Sequence, residues 1–189
     1  MLIVGLCGLK RSGKDTVGRM LIEIGWSYRP VVKLAFADAL KQEIIRATGV
    51  TLSDIETHKE LFRPLLQVWG TEFRRKWNGD DYWISKVRLA TDSAPDNALV
   101  VVTDVRYPNE VDFIRKRGGY LVQVVRPECK PTDTHVSETS MGHEVPNYQV
   151  DNSGSLHQLR ENVTTLWRWL RAQEADGTPA PSLGQLELV

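Results

Sequence analysis

The sequence predicts an α/β protein, a mainly parallel sheet with helices on both faces, and three observations predict it. Runs of six mostly apolar residues stand at 2–7, 31–36, 98–103 and 120–125, and such continuous runs mark strands buried on both faces. Between them, apolar residues recur every three or four positions, as Val17, Met20, Leu21 and Ile24 do, which marks helices with one buried stripe. The first run passes through Gly8 and Gly13 directly into the first such helix. Alternation of this kind builds a sheet whose ligands collect at the carboxyl ends of its strands.

In chain order, Gly25 stops the first helix, Val31 to Phe36 forms the second strand, and Leu40, Ile44 and Ile45 mark a helix ended by Gly49. Ser53 and Glu56 fit a capping box, each satisfying the other's free amide. Pro64 should break the helix that follows, leaving another from Leu65 to Trp77 before the turn Asn78-Gly79-Asp80. These short helices form an insertion over the sheet, and Asp81 to Thr91 reads as one more. The strand from Ala98 closes on Asp104, Pro108 opens a helix to Arg117, and Gly118-Gly119 ends it. After the strand from Tyr120 to Val125, residues 126–145 show no periodicity and form a long loop. Tyr148 to Val150 is a last short strand, and Leu156, Leu159, Val163, Leu166 and Leu170 mark a closing helix.

Composition narrows the possible functions. The formal net charge is +0 with 25% of residues charged, so no overall basic field exists to hold nucleic acid or an anionic membrane. No apolar stretch approaches the roughly 20 residues needed to span a bilayer, and Met1 leads straight into a strand, so no targeting peptide is expected. Cys7 and Cys129 are the only cysteines, too few for a disulfide framework, which points to a reducing cytoplasm. Cys129, His135 and His143 match no zinc-ligand spacing and lack a fourth partner. Trp167 and Trp169 suit an interface as well as a core, which leaves room for a homodimer.

The chemistry concentrates in the turn Gly8-Leu9-Lys10-Arg11-Ser12-Gly13-Lys14-Asp15-Thr16. A glycine turn between strand and helix presents backbone N–H groups to phosphate oxygens, with the positive end of the helix dipole behind them. Gly-x4-Gly-Lys is the P-loop pattern, and Lys14 adds a point charge for the β- and γ-phosphates of ATP. Asp15 stands where that pattern asks for Ser or Thr. A hydroxyl normally ligates Mg²⁺ there, a carboxylate is an equally hard oxygen ligand, and Thr16 offers a hydroxyl one position on. Asp104, at the end of a buried strand, suits Mg²⁺ or its waters, and Arg106 on the same rim suits an acceptor phosphate or charge on the group in flight. The catalytic candidates are therefore Lys14, Asp104 and Arg106.

The glycine turn together with Thr103-Asp104-Val105-Arg106-Tyr107-Pro108-Asn109-Glu110 resembles the bacteriophage-type deoxynucleoside monophosphate kinases, for which Asp after the P-loop Lys is characteristic. Matching stretches continue at 36–41, at 66–72 with Arg75, at 81–83, at 135–138 and at 150–154, so the resemblance spans roughly residues 3 to 165. It implies one P-loop kinase domain over 1–173 with a nucleoside monophosphate kinase-like fold, an acceptor-binding insertion at about 37–92, a lid at about 126–145, and a flexible tail at 174–189. It implies an acceptor site of Lys10, Phe36, Lys41, Gln67, Arg75 and Arg106, with Arg74 an alternative to Arg75. Among the aromatic residues Phe36, Trp69, Tyr82 and Trp83, one is expected to stack on the base. ATP would meet Arg11, Ser12, Gly13, Lys14, Asp15 and Thr16, with Asn152 and Ser153 near adenine; Arg126, His135 and Glu138 lie in the lid, with Arg126 reaching the phosphates. Metal ligands would come from Asp15, Thr16 and Asp104. The expected partners are small nucleotides and the expected setting the host cytoplasm. Two alternatives keep the loop: a P-loop kinase of phosphomevalonate or dephospho-coenzyme A, and an ATP-binding switch without turnover.

Overall fold

A computed structural model describes residues 1–129, 140–141 and 144–176. Five strands, β1 (Leu2–Cys7), β2 (Val31–Leu34), β3 (Leu99–Val102), β4 (Tyr120–Val125) and β5 (Tyr148–Asp151), form one sheet in the order β2-β3-β1-β4-β5. Every neighbouring pair is parallel. β3 therefore lies beside β1 although almost a hundred residues separate them, and Gly5 pairs with Val102. That register sets the turn after β1 next to the segment after β3, and Val105 N–H fastens them by donating to Leu6 O at 3.0 Å.

Helices cover both faces. α1 (Lys14–Trp26) and the last helix, α8 (Leu156–Ala175), pack one side with Val17, Leu21, Leu159, Val163 and Leu166 against Leu6, Val101 and Val122. α2 (Phe36–Thr48), α6 (Tyr82–Asp92) and α7 (Pro108–Arg115) close the other with Phe36, Trp83, Ile84 and Ile114. Burial of these side chains, at roughly 25 cal/mol per Å² of apolar surface, holds the layers together. α8 begins in a capping box of Ser155 and Gln158. It runs through Glu174, which pairs with Arg29 at 2.5 Å. Trp167 packs on Tyr28 and Trp169 on Tyr120 and Tyr148, so both tryptophans are engaged within the chain. No helix among the described residues is long and apolar enough to cross a membrane.

The insertion departs from its expected pattern. α3 (Leu52–Thr57) is capped by Thr51 and Asp54, not by Ser53 and Glu56: Thr51 N–H donates to Asp54 Oδ2 at 2.8 Å while Thr51 Oγ1 accepts from Asp54 N–H at 3.1 Å. Glu56 is drawn instead to Lys41 and Lys59, at 2.6 and 2.8 Å. The break after α3 falls at His58 (φ −110°, ψ 44°), and Pro64 stays inside α4 (Lys59–Gln67). The rod then widens into a π-helical stretch, Val68–Arg75, before the short α5 (Lys76–Asn78). π-Helical turns are rare and concentrate at functional sites.

Candidate active site

Between β1 and α1 the chain follows a path that glycine alone permits at two places. Gly8 has φ 139° and Gly13 φ 98°; a Cβ would lie 2.5 Å from Val124 O at the first and 2.3 Å from Asn152 Nδ2 at the second. Arg11 between them also takes positive φ, 65°. Lys14 opens α1 and its ammonium folds back to donate to Gly8 O at 2.7 Å and Leu9 O at 2.8 Å, which holds the charge over the turn. Gly13, at the N-cap of α1, offers no side-chain cap, and the first turn of a helix is suited to an anion. The Ser12 hydroxyl is buried and has no hydrogen-bond partner among the described residues, a polar lining that suits a phosphate chain.

Asp104 follows β3, one strand away. Its Oδ1 accepts from Phe36 N–H and its Oδ2 from Ala37 N–H, both at 2.8 Å. Ala35, at the N-cap of α2, makes no side-chain bond, so Asp104 caps that helix from outside and α2 starts at Phe36, where a strand was expected to end. Burial pushes the Asp104 carboxyl up, against the pull of the two amides and of Arg106. A carboxylate has about four acceptor positions, so two bonds leave it capacity for a cation. Asp15 and Thr16 occupy the first turn of α1. Magnesium requires only one or two protein oxygens besides phosphate, and these residues fit it.

On the insertion, charged side chains meet the glycine turn. Lys10 Nζ lies 3.0 Å from Glu60 Oε1, and Arg11 3.9 Å from the same oxygen, so α4 stands directly over the turn. The bonds from Lys41 and then Lys59 depress Glu56 to about 2. Deeper in, Glu43 accepts from Trp69 Nε1 at 3.1 Å, from Arg74 Nε at 2.7 Å and from the Tyr82 hydroxyl. Burial would raise Glu43, yet these three bonds prevail and hold it low. Glu56, Glu60 and Glu43 are not among the expected site residues; the spacing makes Glu56 a helix cap, because capping and ion pairing draw on the same residue type.

Several expected acceptor residues take other positions. Phe36 is 4% and Trp83 3% exposed, and Trp83 Nε1–H donates to Gly70 O at 3.0 Å. Both are core, so neither has a face for a base. Arg75 is 7% exposed, pairs with Glu110, donates to Asp80 O at 2.8 Å, and stacks 3.8 Å above the Tyr107 ring. Arg74, between the Phe73 and Tyr82 rings, is the more accessible of the two. Gln67 ends α4, half-buried.

On the far side, Asn152 Nδ2 donates to Ser12 O at 2.7 Å, binding the segment after β5 to the glycine turn. Ser153 bonds Asp151 at 2.9 Å. Arg126 is exposed and paired with Glu128 at 2.8 Å. His135 and Glu138 lie outside the described residues.

A strand-turn-helix of this shape, with its lysine folded over the turn and an aspartate on the adjoining strand, belongs to the P-loop kinases. Comparison with known proteins narrows the class. The family described as deoxynucleotide monophosphate kinase matches residues 48–163, a stretch that begins after the glycine turn. A putative deoxynucleotide monophosphate kinase of Acanthamoeba polyphaga mimivirus is 31% identical over 168 residues, 75% of this chain and 82% of that protein. The deoxynucleotide monophosphate kinase of Escherichia phage RB69 is 29% identical over 108 residues, 56% of this chain and 44% of its own length. Among solved structures, a gluconokinase from Sinorhizobium meliloti 1021 aligns with TM-score 0.49 and 16% identity, over 93% of this chain and 97% of its own. The chain belongs to the deoxynucleotide monophosphate kinase family.

Proposed function

We propose that the protein transfers the γ-phosphoryl group of ATP to a deoxynucleoside 5′-monophosphate, giving the diphosphate and ADP. The observation that carries this reading is the meeting of Lys10 and Arg11 with Glu60 of α4. It supports an acceptor held between α4 and the phosphate-binding turn, where it must lie to be phosphorylated. The glycine turn and the first amides of α1 hold the triphosphate, and Lys14 neutralises charge on its outer phosphates. Lys10, Lys41, Lys59 and Arg106 supply cations for a second phosphorylated molecule, their carboxylate partners Glu60 and Glu56 giving way as the ligand's own charge replaces them. Asp104 and either Asp15 or Thr16 would hold magnesium, which would supply positive charge beside the phosphates. An acceptor phosphate is already largely ionised at neutral pH, so the protein contributes alignment and charge in preference to a strong base. Asn152, bonded to the turn itself, is the residue assigned to the adenine side of the site.

The test is purified protein with ATP and Mg²⁺ against a panel of deoxy- and ribonucleoside monophosphates, with phosphomevalonate and dephospho-coenzyme A alongside. ADP formation that depends on a deoxynucleoside monophosphate is expected. Transfer confined to either non-nucleotide acceptor would overturn the reading, as would ATP binding without turnover on any of them.

A further inference from the structure

Glu110 is 2% exposed at the start of α7, and its carboxylate is divided between two jobs. Oε2 accepts from Arg106 N–H at 2.7 Å and from Tyr107 N–H at 3.2 Å. Oε1 takes the Arg75 guanidinium. Arg75 is the last residue of the π-helical stretch, and its Cζ lies over the Tyr107 ring, 3.8 Å from its centre. The Tyr107 hydroxyl returns to that stretch through Thr71 Oγ1, at 2.9 Å. On the opposite flank the stretch is held by Trp83, which donates to Gly70 O at 3.0 Å. A buried charge pair is a weak source of stability, because desolvation cancels much of its attraction. What this pair does supply is geometry: a single rigid carboxylate sets the backbone of Arg106 relative to the π-helical rod.

We infer that Glu110 is a positioning residue for phosphoryl transfer, fixing the Arg106 backbone and coupling it through Arg75 to the π-helical wall of the acceptor site. The inference rests on the proposed acceptor and on Arg106 facing it. Arg75 then acts from behind the site, through Glu110 and Tyr107, without touching the nucleotide.

Two variants of the full chain separate positioning from stability. Glu110→Met leaves the Arg75 charge buried without its partner and should lower the melting temperature. Arg75→Met/Glu110→Met removes both charges and should recover most of that loss, since apolar replacement of a buried pair is often neutral or better. In both, the amides of Arg106 and Tyr107 lose their acceptor. KM for the deoxynucleoside monophosphate should therefore rise about tenfold in both variants, while KM for ATP changes less than about twofold. Equal rises in the two KM values, or acceptor affinity that returns with stability in the double variant, would overturn the inference. Wild-type protein without transfer to any monophosphate would instead end the proposed function. In that event amide exchange decides: the Arg106 and Tyr107 amides should exchange at least tenfold faster in the double variant, with Val100 to Val102 unchanged, and equal exchange would refute the coupling.

Discussion

Gly13→Ala tests the geometry of the phosphate turn, and its cost follows from two geometric features. Gly13 has φ 98°, a region in which a side chain costs about 1–2 kcal/mol. The added methyl would lie 2.3 Å from Asn152 Nδ2, so the amide must swing away and give up its 2.7 Å bond to Ser12 O. A lost hydrogen bond adds about 1 kcal/mol. The total, about 2–3 kcal/mol, corresponds to a fall of roughly 4–12 °C in melting temperature for a domain of this size. Scanning calorimetry on Gly13→Ala, Asn152→Ala and the double variant measures it. Where Asn152 is already truncated, the methyl meets no amide, and Gly13→Ala should cost about 1 kcal/mol less than in the wild type. Strict additivity would refute the steric role of Asn152. An unchanged melting temperature in Gly13→Ala would refute the turn's geometry altogether.

Other perturbations probe the rest of the site. Lys14→Met removes the charge held over the turn by Gly8 O and Leu9 O, and steady-state assays should show turnover lower by orders of magnitude with the fold intact by circular dichroism. Asp104→Asn leaves one oxygen where two accept the α2 amides; denaturant titration should show a loss of about 1–3 kcal/mol, together with weaker magnesium dependence. Glu56 is held at about 2 by Lys41 and then Lys59, below its ordinary 4.5. A depressed carboxylate stabilises the fold above its unfolded pKa, and the benefit disappears as pH falls from about 4.5 through about 2. Glu56→Gln should therefore flatten the acid limb of stability against pH, and an unchanged limb would remove Glu56 as its source.

Much of the fold is legible in local patterns because a strand buried on both faces and a helix with one buried stripe each impose their own period. β4 coincides with its expected run, and α1 and α6 fall within a residue or two of theirs. The glycine turn is legible for the same reason: its strand, glycines, lysine and helix are contiguous. The acceptor side is not, because its residues are chosen by partners distant in sequence. Lys10 meets Glu60 50 positions away, Arg75 meets Glu110 at 35, and Asp104 caps α2 at 68. The resemblance implies Arg75 at the acceptor, with Arg74 an alternative that spacing does not separate from it, whereas packing buries Arg75 and leaves Arg74 nearer the surface. Trp83 and Phe36 were candidates for a nucleobase, yet the space between sheet and insertion required them as core.

The sequence alone determined the phosphate-binding turn, the individual strands and the placement of Asp104 at a strand's end, since each depends on residues adjacent in the chain and the turn also on backbone conformations that favour glycine. The tertiary structure decided which carboxylates answer Lys10, Lys41 and Arg75 and where the π-helical rod is pinned. Those choices depend on which distant segments come into contact, and only the packed sheet with its insertion brings them together.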